Sequence, residues 1–297
     1  MLSVIICSID HERARTVTAN IQATIGVEHE VIIINNAKEL GGMGAGYNAG
    51  AARAKYDLLC FVHDDVEYLT KDWGKCVLSH FKSNANLGLI GLAGARYKSK
   101  TLSGWYTSMP HADCCNIYQR TPKGKDRKVL LRPTGKGGVI IPVKTLDGVW
   151  LCTTKKIWSA FPFNTAELKS FHWYDLDISL RIAEKYTVAV VYDIDLVHFS
   201  KGNFGDEWVK GAMYFHEHVN KVALPVSLDE FDPAVNEAIV CRAWLRRLRI
   251  ESISWTNRQQ WATLSGASSF PNMRSALIGF YFPYVRKAKM RLKALLS

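Results

Sequence analysis

Residues 29–62, "HEVIIINNAKELGGMGAGYNAGAARAKYDLLCFV", set two short aliphatic runs on either side of a segment rich in glycine and alanine. The runs, at 29–35 and 56–62, are apolar inside and bounded by polar residues, the pattern of strands buried on both faces. "LSVIIC" (2–7) and "LGLIGLAG" (87–94) repeat it, with helix-compatible segments at 13–24, 46–54 and 71–83 between them. Strand and helix alternating at this spacing predict parallel βαβ units, hence an α/β chain with a doubly wound, mostly parallel sheet. In such sheets a ligand sits beyond the carboxyl ends of the strands, so function is sought just after Cys7, Asn35 and Val62.

The same stretch contains Gly44-Ala45-Gly46-Tyr47-Asn48-Ala49, which satisfies GxGxxA. A dinucleotide fingerprint needs its first glycine directly after the strand, where the helix N-terminus meets the pyrophosphate. Gly44 comes nine residues after Asn35, the first strand runs into "SIDHER" with no glycine, and GxxxxGK[ST] is absent. The segment therefore reads as a flexible loop opening a helix, with glycines that let the backbone pass close to something else.

Bulk properties narrow the class. A chain of 297 residues, 48% hydrophobic and 22% charged, can bury one large core or one core with an appendage. The start, "MLSVIICSIDHER", has no basic region and no small-residue cleavage site, which predicts no secretory signal. "ALIGFYFPYV" (276–285) is about half of what a bilayer span needs, so no transmembrane helix is expected. The seven cysteines form an odd set without CxxC spacing, and Cys7, Cys60 and Cys152 sit in strand-like runs where buried thiols are ordinary. A reduced, cytoplasmic protein is the expectation.

The net charge of +11 is concentrated at one end. Residues 240–297 hold 11 Lys/Arg against the single acid Glu251, which leaves 27 basic and 26 acidic residues in the first 239. An acidic, proline-containing stretch, "LPVSLDEFDPAVNEA" (224–238), reads as a linker between the two parts. Residues 95–146 are long, polar and rich in Gly, Pro and Lys, as in a functional or disordered loop. Order returns with a strand at "LDGVWLCTT" (146–154), a short helix at "KKIWSAF", a helix at "HWYDLDISLRIAEKY" (172–186), and a strand, "TVAVVYDIDLVHF" (187–199).

Two acidic sites fall where chemistry is expected. His63, Asp64 and Asp65 end the third strand, and adjacent carboxylates repel unless a cation or a donor-rich ligand offsets them. A hard divalent ion bridging to phosphate oxygens does this, although either Asp could instead cap the next turn. Asp175 and Asp177 stand at a helix N-terminus, where the macrodipole favours the ionised carboxylate. One Asp suffices for capping, and the other could take a proton from a substrate hydroxyl.

"VHDDV", then "DGVWLCTTKKIW" and "HWYDLDISLR", then "LVHFSKGNF", resemble in order the motifs of family 2 glycosyltransferases of the GT-A fold. The likeness is greatest to the bacterial subgroup with a His-x-Asp-Val metal motif, and it covers about residues 2–215. It implies an inverting transfer of a sugar from a nucleotide diphosphate-sugar to a saccharide or lipid-linked saccharide acceptor, in surface polysaccharide or glycolipid synthesis. On this resemblance Asp65 and His198 would bind Mn2+ or Mg2+, and Asp64 would lie near the ribose or sugar. His63 replaces the usual first Asp of that motif, at a position that contacts the ribose. Asp175 would be the base, with Asp177 as the alternative, and Tyr174 stands where Glu is common. Ser8, Ile9, Asp10 and Asn36 would contact the nucleotide, Asn48 and Gly50 would shape the donor pocket, and Asp147-Gly148 would line the sugar and acceptor side. Turn chemistry is the alternative at each of these last positions.

The implied layout is a catalytic domain at 1–223, a linker at 224–239 and a basic helical region at 240–297. "CRAWLRRLRIESISW" and "FPYVRKAKMRLKALLS" interleave Arg/Lys with apolar residues at helical spacing, which fits an anionic membrane surface on the inner face of the plasma membrane. A helical pair packed on the catalytic domain is the alternative, and nucleic acid is not the expected partner. The rival functions are a metal-dependent nucleotidyltransferase, which would need no base placed like Asp175, and a degenerate, non-catalytic binding module.

Overall fold

The computed structural model describes residues 1–35 and 41–283. Its first half follows the alternation in the sequence. β1 (Leu2–Cys7) leads to α1 (His11–Thr24), β2 (His29–Ile34), α2 (Met43–Arg53), β3 (Leu58–Val62), the short β4 (Val66–Tyr68), α3 (Trp73–Ser83) and β5 (Leu87–Gly91). Every residue of β1, β3 and β5 is buried, as their unbroken apolar runs require. Asp10 caps α1 by accepting from the Glu12 and Arg13 amides, and Ala14, Val17, Ile21 and Thr24 form the buried stripe of that helix.

Residues 95–146 do not form the open loop expected of them. They continue from β6 (Ala93–Ala95) into β7 (Tyr97–Lys98), a hairpin of β8 (Asp113–Arg120) and β9 (Asp126–Leu131), then β10 (Ile140–Val143) and β11 (Thr145–Leu146). β8 and β9 pair with each other locally, but β8 also pairs with β14, as when Val197 and His198 lie beside Tyr118 and Gln119, and no local signal announces that partner. β12 (Trp150–Thr154), α4 (Lys155–Ala160), α5 (Tyr174–Ile182), β13 (Thr187–Val191) and β14 (Leu196–His198) complete two sheets. The single strand expected over 187–199 is broken into two that join different sheets.

The larger sheet has the order β10-β13-β5-β12-β3-β1-β2, and the smaller has β11-β6-β8-β14-β4 with β9 on β8. The α/β expectation holds, but the larger sheet is mixed. β12 runs antiparallel to both β3 and β5, and β10 antiparallel to β13. This reversal has a consequence for function: the residues that precede β12, Asp147 and Gly148, arrive at the same sheet edge as the residues that follow β1 and β3. It also places Cys60 opposite Cys152, and the two form a disulfide, so the expectation of free buried thiols fails at this pair. Cys7 remains a free, buried thiol.

Past β14 come α6 (Asp206–Tyr214), one turn of π-helix (Phe215–Val219), β15 (Val226–Ser227), α7 (Pro233–Leu248), α8 (Trp255–Leu264) and α9 (Arg274–Tyr281). The expected linker at 224–239 is not a linker. β15 pairs with β7, Asp229 is ion-paired to Arg96, and α7, capped by Asp232 with Pro233 in its first turn, runs straight through residue 240. Val240, Cys241, Trp244, Leu245 and Leu248 of α7 share one core with Trp173, Leu176 and Trp208. Each fully buried apolar side chain of this kind contributes about 1.5–3 kcal/mol. The described part of the basic region is thus packed on the rest of the chain, and the end of "FPYVRKAKMRLKALLS", from residue 284, lies outside the described residues. No described helix is long and apolar enough to cross a membrane.

Candidate active site

A cavity of about 920 Å³ opens at the edge where β1, β3 and β14 end and β12 begins. Ser8, Ile9, His63, Asp64, Asp65, Asp147, Gly148, Asp175 and His198 all line it, so nine of the expected site residues converge. Backbone bonds set this edge. His63 N donates to Val149 O at 3.2 Å, and Phe199 N to Asp65 O at 2.9 Å, which ties the ends of β3 and β14 together and to the start of β12.

His63, Asp65 and His198 form the polar centre. His63 Nδ1 lies 3.8 Å and His198 Nε2 3.5 Å from Asp65 Oδ1, and one ligand atom from each of the three lies within 4.8 Å of the others. Burial works against the Asp65 anion, but the His198 hydrogen bond and the charges of both imidazoles hold its carboxyl well below the usual range. Burial likewise disfavours a charged His198, yet Asp65 outweighs it and raises the imidazole above its ordinary value. Burial first, then the charge of His198, pushes His63 down. Two imidazoles and an ionised carboxylate on one side of a cavity fit a divalent ion, with open positions left for phosphate oxygens. Asp64 is turned the other way and accepts from Ser8 Oγ at 2.6 Å, joining the ends of β1 and β3.

Asp175 faces the same cavity from the first turn of α5. Its carboxylate accepts from the amides of Gly148 and Leu176, each at 2.9 Å. Burial, and secondarily the charge of Asp147, raises it to about 7, into the range where a carboxylate can take up a proton near neutrality. Asp147 is held by Trp105 Nε1 at 2.7 Å and by the Val149 amide at 3.0 Å. Trp173, just before α5, has φ 76°, a left-handed conformation uncommon for a bulky residue. Its ring stacks on Phe215 at 5.3 Å and donates to Trp208 O, which anchors the start of α5 and so the position of Asp175.

Other expected site residues have different work. Asp177 does not line the cavity; it pairs with Arg181 one turn along α5 at 2.6 Å and is buried there, which leaves Asp175 as the carboxylate facing solvent space. Asp10 serves as the α1 cap. Asn48 clamps α2 to the loop after α4, donating to Phe163 O and accepting from Trp158 Nε1 and the Phe163 amide. A Cβ on Gly50 would meet Ile5 Cγ2 at 2.3 Å, so this glycine lets α2 lie against β1. None of Asp10, Asn48 and Gly50 lines the cavity, although Asp10 lies between Ile9 and Arg13, which do. Asn36 lies outside the described residues. The GxGxxA glycines belong to α2, which begins at Met43, earlier than expected, and of its first turns it is Met43 that reaches the cavity.

An aromatic part of the lining was not foreseen. Trp105, Tyr106, Phe204, Trp208, Trp244 and Arg247 form it. Trp208 and Trp244 stack at 4.7 Å with an interplanar angle of 5°, and the Arg247 guanidinium lies 4.1 Å from the Phe204 ring centre while also pairing with Glu251. Trp244 and Arg247 come from α7, the region read as a separate appendage, and their helical spacing was the only signal of a buried face.

Residues 3–218 match the family described as a glycosyltransferase-like family, and the chain belongs to it. No curated protein matches. Among solved structures, a GalNAc-T7 complex with UDP, GalNAc and Mn2+ is similar over 67% of this chain and 44% of that one, at 10% identity and a TM-score of 0.48. TarS of S. aureus is similar over 94% of this chain and 54% of its own, at 11% identity and a TM-score of 0.48. A 1–349 form of TarS with UDP-GlcNAc is similar over 94% and 89%, at 10% identity and a TM-score of 0.46. The chain thus spans less than half of the GalNAc-T7 chain and about half of the longer TarS chain.

Proposed function

We propose that the chain is a GT-A-type, inverting glycosyltransferase that moves a sugar from a nucleotide diphosphate-sugar to a hydroxyl of a saccharide or lipid-linked saccharide. The observation that carries this reading is the pairing, within one cavity, of a carboxylate raised to about 7 with a separate His63–Asp65–His198 cluster. Asp175 takes the proton of the acceptor hydroxyl as its oxygen bonds to the anomeric carbon. The bond from that carbon to the diphosphate breaks on the opposite face, which inverts the configuration. Mn2+ or Mg2+ on Asp65 and its neighbouring imidazoles would neutralise charge on the departing diphosphate. Ser8 and Asp64, bonded to each other beside Ile9, are placed for the nucleoside part of the donor. The aromatic wall suits the acceptor, since sugar rings present apolar C–H faces that pack on Trp, Tyr and Phe.

A nucleotidyltransferase would leave Asp175 without a task. A degenerate module would leave the departures at His63 and Tyr174 unrelated, whereas the two side chains are bonded to each other at 2.9 Å. The basic residues at the chain's end support a further part of the proposal, contact with an anionic membrane surface that carries the acceptor.

Thermal stabilisation by a panel of nucleotide sugars, with and without Mn2+, tests the reading by mass action. Metal-dependent stabilisation by one nucleotide diphosphate-sugar is expected. Stabilisation by none of them, or equal stabilisation without metal, overturns it.

A further inference from the structure

The smaller sheet turns one face to the cavity. Cys115, Ile117 and Gln119 alternate along β8, Val129 and Leu131 along β9, and Ala93 belongs to β6; each of them lines the space. The register makes them one surface, with Cys115 opposite Leu131, Ile117 opposite Val129 and Ala93 opposite Cys115. The alternate residues point away. There Asn116 donates to Ile194 O at 2.8 Å, and Lys128 lies 4.3 Å from the Tyr118 ring centre and pairs with Asp195. The cavity-facing surface has little to offer a sugar hydroxyl. The amide nitrogen of Gln119 already donates to His198 O at 2.9 Å and Ser200 O at 2.6 Å, and burial pushes the Cys115 thiol up to about 12. A saccharide hydroxyl laid here would give up water without replacement, whereas a hydrocarbon chain would gain by leaving water.

This aliphatic surface has a defined neighbour. Trp105 packs against it and against the core that contains α7, and its Nε1 donates to Asp147 Oδ2 at 2.7 Å. Asp147 N in turn donates to Ala93 O at 2.8 Å. The aliphatic surface therefore meets the aromatic wall at Asp147, whose charge is felt by the Asp175 carboxylate. From this continuity we infer that β6, β8 and β9 form an aglycone subsite, and that the acceptor is a sugar joined to an alkyl or prenyl chain. The sugar packs on the aromatic wall, and the first carbons of the chain lie on Ala93, Cys115, Ile117, Val129 and Leu131 as it leaves across β8 towards β9. Half-burial of Val129 and Leu131 leaves apolar area for the chain to cover. This inference rests on the proposed transfer and deepens it by naming what the acceptor sugar is attached to.

The test uses the full chain and n-alkyl glucosides from methyl upward, kept below their micelle concentrations. Affinity, read by calorimetry, should rise about fourfold for each methylene that reaches the surface, the value of one buried CH2. The rise should stop once the chain outruns two strand spacings, about 10 Å. Val129→Thr combined with Leu131→Gln, both at half-buried positions, should cut the gain to about twofold or less per methylene and leave methyl glucoside binding unchanged. An alkyl glucoside with a diazirine at the chain end should label the wild type within residues 93–131, a readout that needs no variant to fold. Affinity indifferent to chain length, an unchanged gain in the double variant, or labelling only outside 93–131 overturns the inference while leaving the transferase reading standing. Failure of the transferase reading would show separately, as nucleotide sugars that give no metal-dependent stabilisation.

Discussion

The two sides of the cavity are built differently. The polar side, with Ser8, His63, Asp64, Asp65 and His198, hangs from strand ends locked by ladder hydrogen bonds and cross-linked through the Phe199–Asp65 backbone bond. The aromatic side, with Phe204, Trp208, Trp244 and Arg247, comes from a loop and two helices, and α7 lies beyond the residues that match the family. In the proposed reaction the sheet edge would hold the ion and the donor, while the proposed base, Asp175, reaches the same cavity from α5. The aromatic side would serve acceptor recognition, and it is tied to the start of α5 through the packing of Trp208 on Trp173.

The contrast can be broken most severely at Asp175. Asp175→Asn should lower kcat by about 10²–10⁴-fold while donor affinity, measured calorimetrically, stays near wild type. Turnover within tenfold of wild type would move the base elsewhere. Asp65→Ala should abolish the metal-dependent part of nucleotide-sugar binding, and calorimetric titration with Mn2+ present and absent reads it directly.

A pH profile sharpens the polar side further. Asp175 must be ionised to accept a proton, so kcat/KM should fall as pH drops below about 7. Burial is the main cause of the raised value and Asp147 the second, so Asp147→Asn should move this limb to lower pH; an unmoved limb would detach the two carboxylates. The same shift affects stability. Between the usual carboxylate value of 3.8 and about 7 the folded chain holds a proton that the unfolded chain releases, so stability should decline as pH rises through that window. Asp175→Asn should remove that decline, which melting temperatures at pH 4 and pH 8 would show.

Changes on the aromatic side should be gentler and of another kind. Phe204→Ala should raise the acceptor KM by roughly fivefold, the equivalent of about 1 kcal/mol for an aromatic contact, with donor affinity unaltered. A donor effect of the same size would erase the division between the two sides. Deleting 284–297 should have the smallest effect on transfer to a soluble acceptor, while reducing co-sedimentation with anionic vesicles; undiminished sedimentation would remove the membrane from the proposal.

Legibility followed locality. The strands at 2–7 and 58–62 are buried on both faces, as their unbroken aliphatic runs predict, whereas the similar run at 29–34 forms the edge strand β2, with Ile33 exposed, because only the sheet order decides which run has a neighbour on both sides. His63–Asp65, Asp147, Asp175 and His198 were found from motif order, and the fold gathers them in one cavity. Within 95–146 the β8–β9 hairpin is local and its strands are partly polar, whereas β8 is also paired with β14, about eighty residues further on, which the local pattern does not announce. α7 was cut at an acidic stretch whose acids have local structural tasks: Asp232 caps the helix, and Glu237 accepts from Tyr97 at 2.5 Å and Ser99 at 3.0 Å in the core.

Residue pattern alone was enough for the α/β class, the residues that end the first and third strands and the two acid pairs, Asp64-Asp65 and Asp175/Asp177, on which the proposal draws. Only the tertiary structure turned Asp175 to the cavity and Asp177 to Arg181, packed Gly50 against β1, joined Cys60 to Cys152 and brought His63 to Tyr174. The physical reason is that residue type and spacing encode which groups are available, whereas protonation, tautomer and ligation depend on neighbours that chain folding brings from more than a hundred residues away.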